Sequence, residues 1–319
     1  MASSPSDTGP ARLADTGPAR LAIHGGPPAR PAPLRPLVAL TEAAKREVVA
    51  VLDDGELSRW YGGPQALRFE RAFAAFHGVG HGLAVNSGTS ALHVAYAAAG
   101  LGPGDEVILP VAGYVSVAIA AVQQGAVPIF CDVQPGTLNM DPADLAERIT
   151  PATKLIVPVH FWGRPAEMPA IMALAERHGL QVIEDCGQSH GARIAGRRVG
   201  SFGRLAAFSF APRKHISTGQ GGMVLARDAA AAEAARRIAN KGKGDGWLDY
   251  RELGFSYAMP ELDALVGLHQ IDGLDAQLDL RRRLAAIYRA VLADTDLGLP
   301  EETPEVEHAY FKMPLRLPE

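Results

Sequence analysis

One lysine lies in a loop between two short segments of the chain. Lys214 follows Phe208-Ser209-Phe210 and precedes the glycine-rich stretch Gly219-Gln220-Gly221-Gly222. A lysine that is partly dehydrated, or close to other positive charge, has a lowered pKa and can form a Schiff base with a carbonyl group. Because most lysines are solvated, Lys214 becomes a candidate only together with the residues described next.

A carboxylate follows another apolar run and could act beside that lysine. Asp185 comes directly after Val182-Ile183 and Glu184, so we expect it at the carboxyl end of a strand. A carboxylate in such a crevice can keep a pyridine nitrogen protonated, because the ion pair favours the charged form of both groups. A surface acid, or a cap over residues 187–189, is the alternative.

Small and hydroxyl-bearing residues precede a predicted helix over residues 91–99. The start of a helix offers unpaired N–H groups and a positive dipole end, and Gly88 would let the backbone approach an anion closely. The pattern is therefore compatible with a phosphate site. An ordinary N-cap formed by Ser87 or Thr89 is the alternative, since such caps are far commoner than phosphate sites.

Short apolar runs alternate with amphipathic segments such as Pro142–Arg148 and Met168–His178. This alternation predicts an α/β three-layer sandwich with a mostly parallel sheet. Ligands of such sheets bind beyond the carboxyl ends of the strands, which is where the candidate residues are expected. The predicted strands contain Val107-Ile108-Leu109, Ile129-Phe130-Cys131, Leu155-Ile156-Val157, Val182-Ile183 and Phe208-Ser209-Phe210.

Three regions follow one another along the chain. Residues 1–37 hold eight of the 24 prolines and an exact tandem repeat, and they predict a disordered tail. Residues 38–255 form the predicted large domain. Residues 256–319 are predicted to start a C-terminal small domain, with helical sequence over 260–293 and an opening strand over 308–317. Because the sequence stops there, the small domain is predicted to be incomplete.

Composition and charge narrow the classes of function. The chain has 31 basic and 35 acidic residues and no dense basic stripe, so we expect no nucleic-acid partner. Cys131 and Cys186 lie far apart and predict neither a disulfide framework nor a zinc site. The most apolar window, 111–130, is too interrupted to span a membrane, and no secretory signal is recognised. These features predict a cytoplasmic protein with no metal and no membrane partner.

Taken in order, the segments resemble the DegT/DnrJ/EryC1/StrS family of sugar aminotransferases, which use pyridoxal phosphate (PLP) and have fold type I. The resemblance covers residues 59–292. Any one of the motifs would be weak, but this many in order are specific. The matching stretches are FERAFAAFHG, NSGTSAL, LGPGDEVILP, QGAVPIFCDV, HFWGRPAEM, VIEDCGQSHGA, FSFAPRKHISTGQGGMV and RRRLAAIYRAVL.

The resemblance implies a role for each candidate residue. Lys214 would bind the cofactor covalently, and Asp185 would meet its pyridine nitrogen. Gln188 would lie near the ring hydroxyl, and Tyr114 would stack on the ring face. The residues implied to hold the phosphate are Gly88, Thr89, Ser209 and Ser256.

Ser256 departs from the family pattern, which often has an asparagine there that reaches the phosphate of the neighbouring subunit. The resemblance also implies a homodimer with both active sites at the shared interface. We predict that the segment 241–259, which includes Trp247, closes the partner's phosphate site.

The implied reaction is a transamination in two stages. L-glutamine or L-glutamate would give its amino group to the cofactor, which would then aminate a ketone, with Lys214 moving the proton. The segment 21–30 is similar to the start of the branch that acts on scyllo-inosose and related cyclitols. The sequence therefore favours a keto-cyclitol over a nucleotide-linked keto-sugar, in the biosynthesis of an antibiotic or another secondary metabolite.

Two alternatives stay open. Some relatives carry histidine in place of the lysine and dehydrate deoxysugars, but here Lys214 occupies the site and His215 follows it. A protein that has lost catalysis and serves as a partner is the second alternative, which the predicted incomplete domain and Ser256 motivate. A borohydride-sensitive absorption band of lysine-bound cofactor would exclude the first, and uptake of PLP would argue against the second.

Overall fold

The computed structural model describes residues 22, 25–28, 30, 32, 38, 40–58, 63–246 and 248–318. The chain forms two compact units, residues 1–39 and residues 40–319. The predicted tail lies mostly outside the described residues, as does Trp247. All elements named below belong to the second unit. The predicted boundary between a large and a small domain at residue 255 stays a prediction.

Helices in the described part of the chain begin and end where the sequence supplies caps. The Thr41 hydroxyl accepts a hydrogen bond from the Ala44 N–H (3.1 Å) at the start of the first helix, and Gly55 ends it with φ 76°. None of the helices in this part is both long and apolar enough to cross a membrane. The α-helices are Glu42–Asp54 (α1), Pro64–His77 (α2), Gly88–Ala98 (α3), Ser116–Gln123 (α4), Pro142–Arg148 (α5), Met168–His178 (α6), Ala229–Ala239 (α7), Glu261–Ile271 (α8) and Leu274–Leu292 (α9).

The strands confirm the predicted α/β fold with a mostly parallel sheet. They are His81–Val85 (β1), Glu106–Pro110 (β2), Val127–Cys131 (β3), Thr153–Ile156 (β4), Gln181–Asp185 (β5), Arg193–Ile194 (β6), Arg197–Arg198 (β7), Leu205–Ser209 (β8), Gly222–Ala226 (β9) and Val306–Glu307 (β10). Seven of them form one sheet in the order β1-β9-β8-β5-β4-β2-β3, and β10, β6 and β7 form a small second sheet. In the large sheet β2, β3, β4, β5 and β8 run parallel, whereas β9 is antiparallel to β1 and β8.

Helices cover both faces of the large sheet. Successive side chains of a strand point to opposite faces, and accordingly Val107 and Leu109 of β2 pack in the cluster that contains α3, α4 and α7. Ile108, between them, packs in the cluster of α5 and α6 on the other face. A third cluster joins α2, α8 and α9 to β8 and β9. Both faces are therefore buried, as expected for a parallel sheet.

Residues 308–312, the C-terminal strap, do not form the strand predicted over 308–317. The Ala309 N–H donates to the Gly163 carbonyl (2.8 Å), and the Lys312 N–H donates to the Trp162 carbonyl (3.3 Å). Tyr310 between them has φ 46°, which breaks an extended run. The prediction was wrong because the N–H groups of this segment bond to a loop instead of a neighbouring strand.

Candidate active site

The carboxyl ends of β5 and β8 bring the main candidate residues to one edge of the large sheet. Asp185 is the last residue of β5 and pairs in parallel register with Ala207 of β8. Ser209 is the last residue of β8, and Lys214 lies in the turn that follows. Arg213, with φ 74°, turns the chain just before Lys214, whose N–H donates to the Ala211 carbonyl (3.2 Å). The predicted position at the strand ends is what the structure has.

Asp185 is a buried carboxylate, 8% exposed, and among the described residues only one of its two oxygens accepts a hydrogen bond. Its Oδ1 accepts a hydrogen bond from the Gly187 N–H (2.9 Å), so it caps a turn rather than a helix. Among the described residues, Oδ2 accepts no hydrogen bond. Burial raises the pKa of Asp185, and the Gly187 N–H and the charge of Lys214 oppose that rise. A cationic ring nitrogen at Oδ2 would supply the partner that this carboxylate lacks.

Lys214 is half-buried and faces both an acid and a base. Burial lowers the pKa of its ammonium group, the charge of Asp185 acts in the opposite direction, and Lys312 adds to the lowering. Its Nζ lies 4.8 Å from the centroid of the Phe311 ring. A lysine with a lowered pKa exchanges its proton readily and can attack a carbonyl carbon, the two properties that the candidate chemistry needs.

The start of α3 meets the end of β8 in a narrow cradle. The Ser87 hydroxyl accepts a hydrogen bond from the Ser90 N–H (3.0 Å), so the N-cap predicted for Ser87 is present. A Cβ on Gly88 would lie 2.6 Å from Ser209 Cβ, so only glycine permits this approach. The N–H groups of Gly88 and Thr89 belong to the first helical turn, which leaves such groups without helical acceptors. The N-cap at Ser87 therefore does not exclude an anion at these N–H groups.

Gln188 and Tyr114 flank the same edge of the sheet. Gln188 is 9% exposed, and its Oε1 accepts a hydrogen bond from the Trp162 N–H (2.9 Å). Tyr114 is 65% exposed and precedes α4. A Cβ on the adjacent Gly113 would lie 3.5 Å from Val159, which bridges to Asp185. Tyr114 is thus close in the chain to the wall of the site, with an exposed ring.

Among the described residues, no hydrogen bond joins Ser256 to the other predicted site residues. Ser256 is exposed and forms an antiparallel bridge with Asn240. The carbonyl of the next residue, Tyr257, accepts a hydrogen bond from the Asn86 N–H (2.9 Å), so this segment runs beside the start of α3. The predicted role of Ser256 as a phosphate ligand stays a prediction.

A second buried group, next to Asp185 in sequence, has the composition of a metal site. Ligand atoms of His160, Glu184 and Cys186 lie within 4.8 Å of one another. His160 Nδ1 accepts the Ala166 N–H (3.0 Å), so its Nε2 carries the hydrogen that it donates to Glu184 (3.1 Å). Glu184 also accepts three backbone N–H groups of the loop 200–203. The group therefore works as a hydrogen-bonded support for that loop.

The structure also connects to the site two residues that sequence reasoning missed. Phe311 and Lys312 of the C-terminal strap approach Lys214 from a distant part of the chain. Their types, an aromatic next to a base, are visible in the sequence. Their position is not, because it depends on how the strap bonds to Trp162 and Gly163.

A sequence model of the DegT/DnrJ/EryC1/StrS aminotransferase family matches residues 39–319. The chain belongs to this family. DegT/DnrJ/EryC1/StrS proteins are aminotransferases that use PLP, and the geometry above fits that cofactor. Gly88 at the start of α3 packs closely against Ser209, Asp185 Oδ2 accepts no hydrogen bond among the described residues, and Lys214 is a half-buried amine.

Relatives with known names include sugar and cyclitol aminotransferases. The chain is 41% identical to UDP-N-acetyl-3-dehydro-alpha-D-glucosamine 3-aminotransferase of Acidithiobacillus ferrooxidans, over 84% of this chain and 72% of that protein. It is 39% identical to L-glutamine:2-deoxy-scyllo-inosose aminotransferase of Streptomyces paromomycinus, over 93% of this chain and 74% of that protein. The chain thus spans about three quarters of the length of these relatives.

Solved structures confirm fold type I. DesV of S. venezuelae, solved in complex with a ketimine intermediate, superposes with a TM-score of 0.81 at 36% identity, covering 86% of this chain and 73% of DesV. The 3-amino-5-hydroxybenzoic acid synthase gives a TM-score of 0.82 at 34% identity, covering 87% and 73%.

Proposed function

We propose that this aminotransferase moves an amino group from L-glutamine or L-glutamate to a keto-cyclitol of the scyllo-inosose type or to a keto-sugar, in the biosynthesis of an antibiotic or another secondary metabolite. The observation that carries the proposal is the half-buried Lys214 facing the buried Asp185 at the end of the parallel strands. The names of the relatives support the substrate class, since they include both cyclitol and sugar aminotransferases.

Each candidate residue has a task in this reaction. Bound PLP supplies an electron sink that stabilises charge on the carbon that loses its proton. The Lys214 amine, whose pKa burial lowers, takes that proton and returns it at the neighbouring carbon. Asp185 holds the ring nitrogen in its charged form, which strengthens the electron sink. The N–H groups of Gly88 and Thr89 and the Ser209 hydroxyl hold the phosphate.

The acceptor that we favour is a keto-cyclitol. The segment 21–30 is similar in sequence to the start of the scyllo-inosose branch, although it lies partly outside the described residues. The similarity to the Streptomyces paromomycinus relative extends over 93% of this chain, further than the similarity to the nucleotide-sugar relative. Unlike a nucleotide-linked sugar, a cyclitol carries no charged nucleotide group, so hydroxyl contacts in the site would select it.

The proposal includes a homodimer with shared active sites. Val115, Ile119 and Val122 form an exposed apolar stripe along α4, continuous with the exposed ring of Tyr114. A second copy of the chain fits this surface, because the stripe carries no charge and borders the site that Ser256 of a partner must reach. Sedimentation should give a dimer, and Ile119→Asp should give monomers; a monomeric wild-type chain with full PLP occupancy would refute the shared site.

We also propose that the enzyme works in a reducing compartment such as the cytoplasm. Cys131 and Cys186 are free thiols, and both are buried. Burial raises the pKa of Cys131 to about 12, so its reactive thiolate form is scarce. Thiols of this kind are compatible with a protein that relies on no disulfide.

Amino transfer by the purified chain tests the proposal. The pyridoxamine form, prepared with L-glutamine or L-glutamate, is mixed with scyllo-inosose-type cyclitols and with 3-keto and 4-keto nucleotide sugars. We expect the pyridoxal absorption to return fastest with a cyclitol. Lys214→Ala should lose activity at least about 10³-fold, whereas the exposed Lys45→Ala should not change it. Failure of every ketone, or activity of Lys214→Ala, would contradict the proposal.

A further inference from the structure

Hydrogen bonds from three other segments fix the C-terminal strap beside the loop that carries Lys214. The Ala309 N–H donates to the Gly163 carbonyl (2.8 Å), and the Ala309 carbonyl accepts from His215 Nε2 (3.0 Å). The Arg281 guanidinium donates to the Tyr310 carbonyl (2.9 Å). Because His215 is the neighbour of Lys214, the strap is tied to the same loop as the catalytic amine.

The strap brings a second ammonium group to the aromatic ring that Lys214 contacts. The centroid of the Phe311 ring lies 4.8 Å from Lys214 Nζ and 5.9 Å from Lys312 Nζ. The strap backbone packs tightly on the loop beneath it, because a Cβ on Gly163 would lie 2.8 Å from the Phe311 nitrogen. Both ammonium groups therefore lie beside one ring, which a tightly packed backbone segment carries.

Lys312 has an exposed side chain, and among the described residues it forms no ion pair with a carboxylate. The positive charge of Lys312 repels that of Lys214, and this lowers the pKa of Lys214 further. An ammonium group near the catalytic amine that no carboxylate of the chain pairs can bind an anion during the reaction.

The amino donor of the proposed reaction brings such an anion. An α-amino acid carries its carboxylate on the same carbon that loses a proton to Lys214. When that carbon is within reach of the Lys214 amine, the carboxylate lies a few ångströms away. Lys312 would attract a carboxylate placed near it, whereas the buried carboxylate of Asp185 would repel one.

We propose that Lys312 is a specificity-determining residue that binds the α-carboxylate of the amino donor, with Phe311 as the spacer that sets its distance from Lys214. This inference rests on the proposed transamination. The ketone acceptor has no carboxylate at the reacting carbon, so Lys312 contributes to the first half-reaction and not to the second.

Separate measurement of the two half-reactions tests this role. In Lys312→Met the KM for L-glutamine or L-glutamate should rise about 10- to 100-fold, the range for loss of a charge-assisted hydrogen bond, with a nearly unchanged limiting rate. Amination of the ketone by the pyridoxamine form should stay within about twofold. Lys312→Arg should restore most of the donor affinity, and Lys45→Met is the matched remote control.

Binding of glutarate, an unreactive dicarboxylate, gives a readout that needs no turnover. Its affinity for the resting enzyme should fall in Lys312→Met by the same factor as the donor affinity. Unchanged donor KM and unchanged glutarate binding would overturn the proposal, as would a defect confined to the ketone half-reaction. If the wild-type chain transfers no amino group at all, the proposed function fails, while glutarate binding still decides whether Lys312 binds carboxylates.

Discussion

Glu184 and Asp185 are neighbours in β5, both buried, and the protein treats them in opposite ways. Glu184 accepts hydrogen bonds from His160 and from three backbone N–H groups of the loop 200–203. Asp185 accepts one, from Gly187, and faces Lys214. Because adjacent residues of a strand point to opposite faces, one carboxylate supports a loop and the other lines the crevice.

The pKa values of the two carboxyls follow from these surroundings. Burial raises the pKa of Glu184, but the His160 side chain and the backbone N–H groups more than offset it, so the pKa is lowered. Burial prevails at Asp185, where one N–H and the charge of Lys214 do not offset it, and the pKa is raised. Glu184 finds its hydrogen-bond partners within the protein, whereas one oxygen of Asp185 is left for a ligand. A carboxylate that is buried but incompletely paired is the better marker of the site.

Of the changes that test this pair of carboxylates, Asp185→Asn should have the largest effect on the reaction. The amide cannot hold a ring nitrogen in its charged form, so the electron sink weakens. We expect kcat to fall about 10²- to 10³-fold, the range for loss of one electrostatic group in a dehydrated site. Stopped-flow rates of the donor half-reaction measure this, and circular dichroism checks that the fold is kept. A rate near that of the wild type would mean that Asp185 only caps its turn.

Glu184→Gln tests the carboxylate whose partners lie within the protein, and it should lower the stability of the fold instead of the rate of the reaction. Its amide nitrogen can accept none of the N–H groups that the carboxylate accepts, which leaves buried donors unpaired. The free energy of unfolding should fall by about 3–5 kcal/mol. Urea titration measures that fall, and kcat per folded active site should stay within about threefold of wild type. A large loss of kcat in folded protein would show that Glu184 also acts in the reaction and does not only support the loop.

Acid should destabilise the fold through two buried histidines before it affects the carboxylates. Burial lowers the pKa of His77 to about 4 and the pKa of His215 to about 3. The unfolded chain therefore binds protons below about pH 6.5, whereas the folded chain does not until its lower pKa is reached. The stabilisation is complete above pH 6.5 and is lost as the pH falls toward 4.

Each such histidine should cost about 2 kcal/mol of stability between pH 7 and pH 5. His77→Gln should therefore reduce the pH dependence of the urea midpoint in that interval by about one bound proton. The exposed His178→Gln should leave the pH dependence unchanged and serves as the control. An equal pH dependence in His77→Gln and wild type would show that His77 is protonated in the folded chain.

Local signals explain which parts of this fold could be predicted from sequence. The bounds predicted for α5 and α6 are those observed, because a proline stands in the first turn of each helix and Gly179 ends α6 with φ 65°. Asp185 and Lys214 were expected at one edge because parallel strands end on the same side of a sheet. Both arguments use residues that are close in sequence or a general rule of sheet geometry.

Contacts between distant segments could not be predicted in the same way. Nothing local distinguishes Glu184 from Asp185, since the difference arises from the loop 200–203 and His160. A strand was expected over 308–317 as the continuation of the helical stretch, but the N–H groups of the strap bond to Trp162 and Gly163. The approach of Lys312 to Lys214 depends on those bonds and became visible only in three dimensions.

The smallest effect should come from a change at Ser256, which tests a phosphate contact that a partner subunit would supply. Ser256 is exposed and, among the described residues, forms no hydrogen bond with Gly88 or Ser209, and we expect it to contact a phosphate across a dimer. A longer amide at this position would reach further than a hydroxyl. Ser256→Asn should therefore strengthen PLP binding by about one hydrogen bond, about 1 kcal/mol or fivefold in the dissociation constant.

Equilibrium dialysis of PLP at protein concentrations above and below the dimer dissociation constant measures this effect. The gain should be present in the dimer and absent in the Ile119→Asp monomer, because the donor comes from the second subunit. Ser256→Ala is the matched variant that removes the hydroxyl without adding reach, and it should weaken PLP binding only in the dimer. A gain that persists in the monomer would mean that Ser256 acts within its own chain, and that the crevice around Asp185 is completed without a partner.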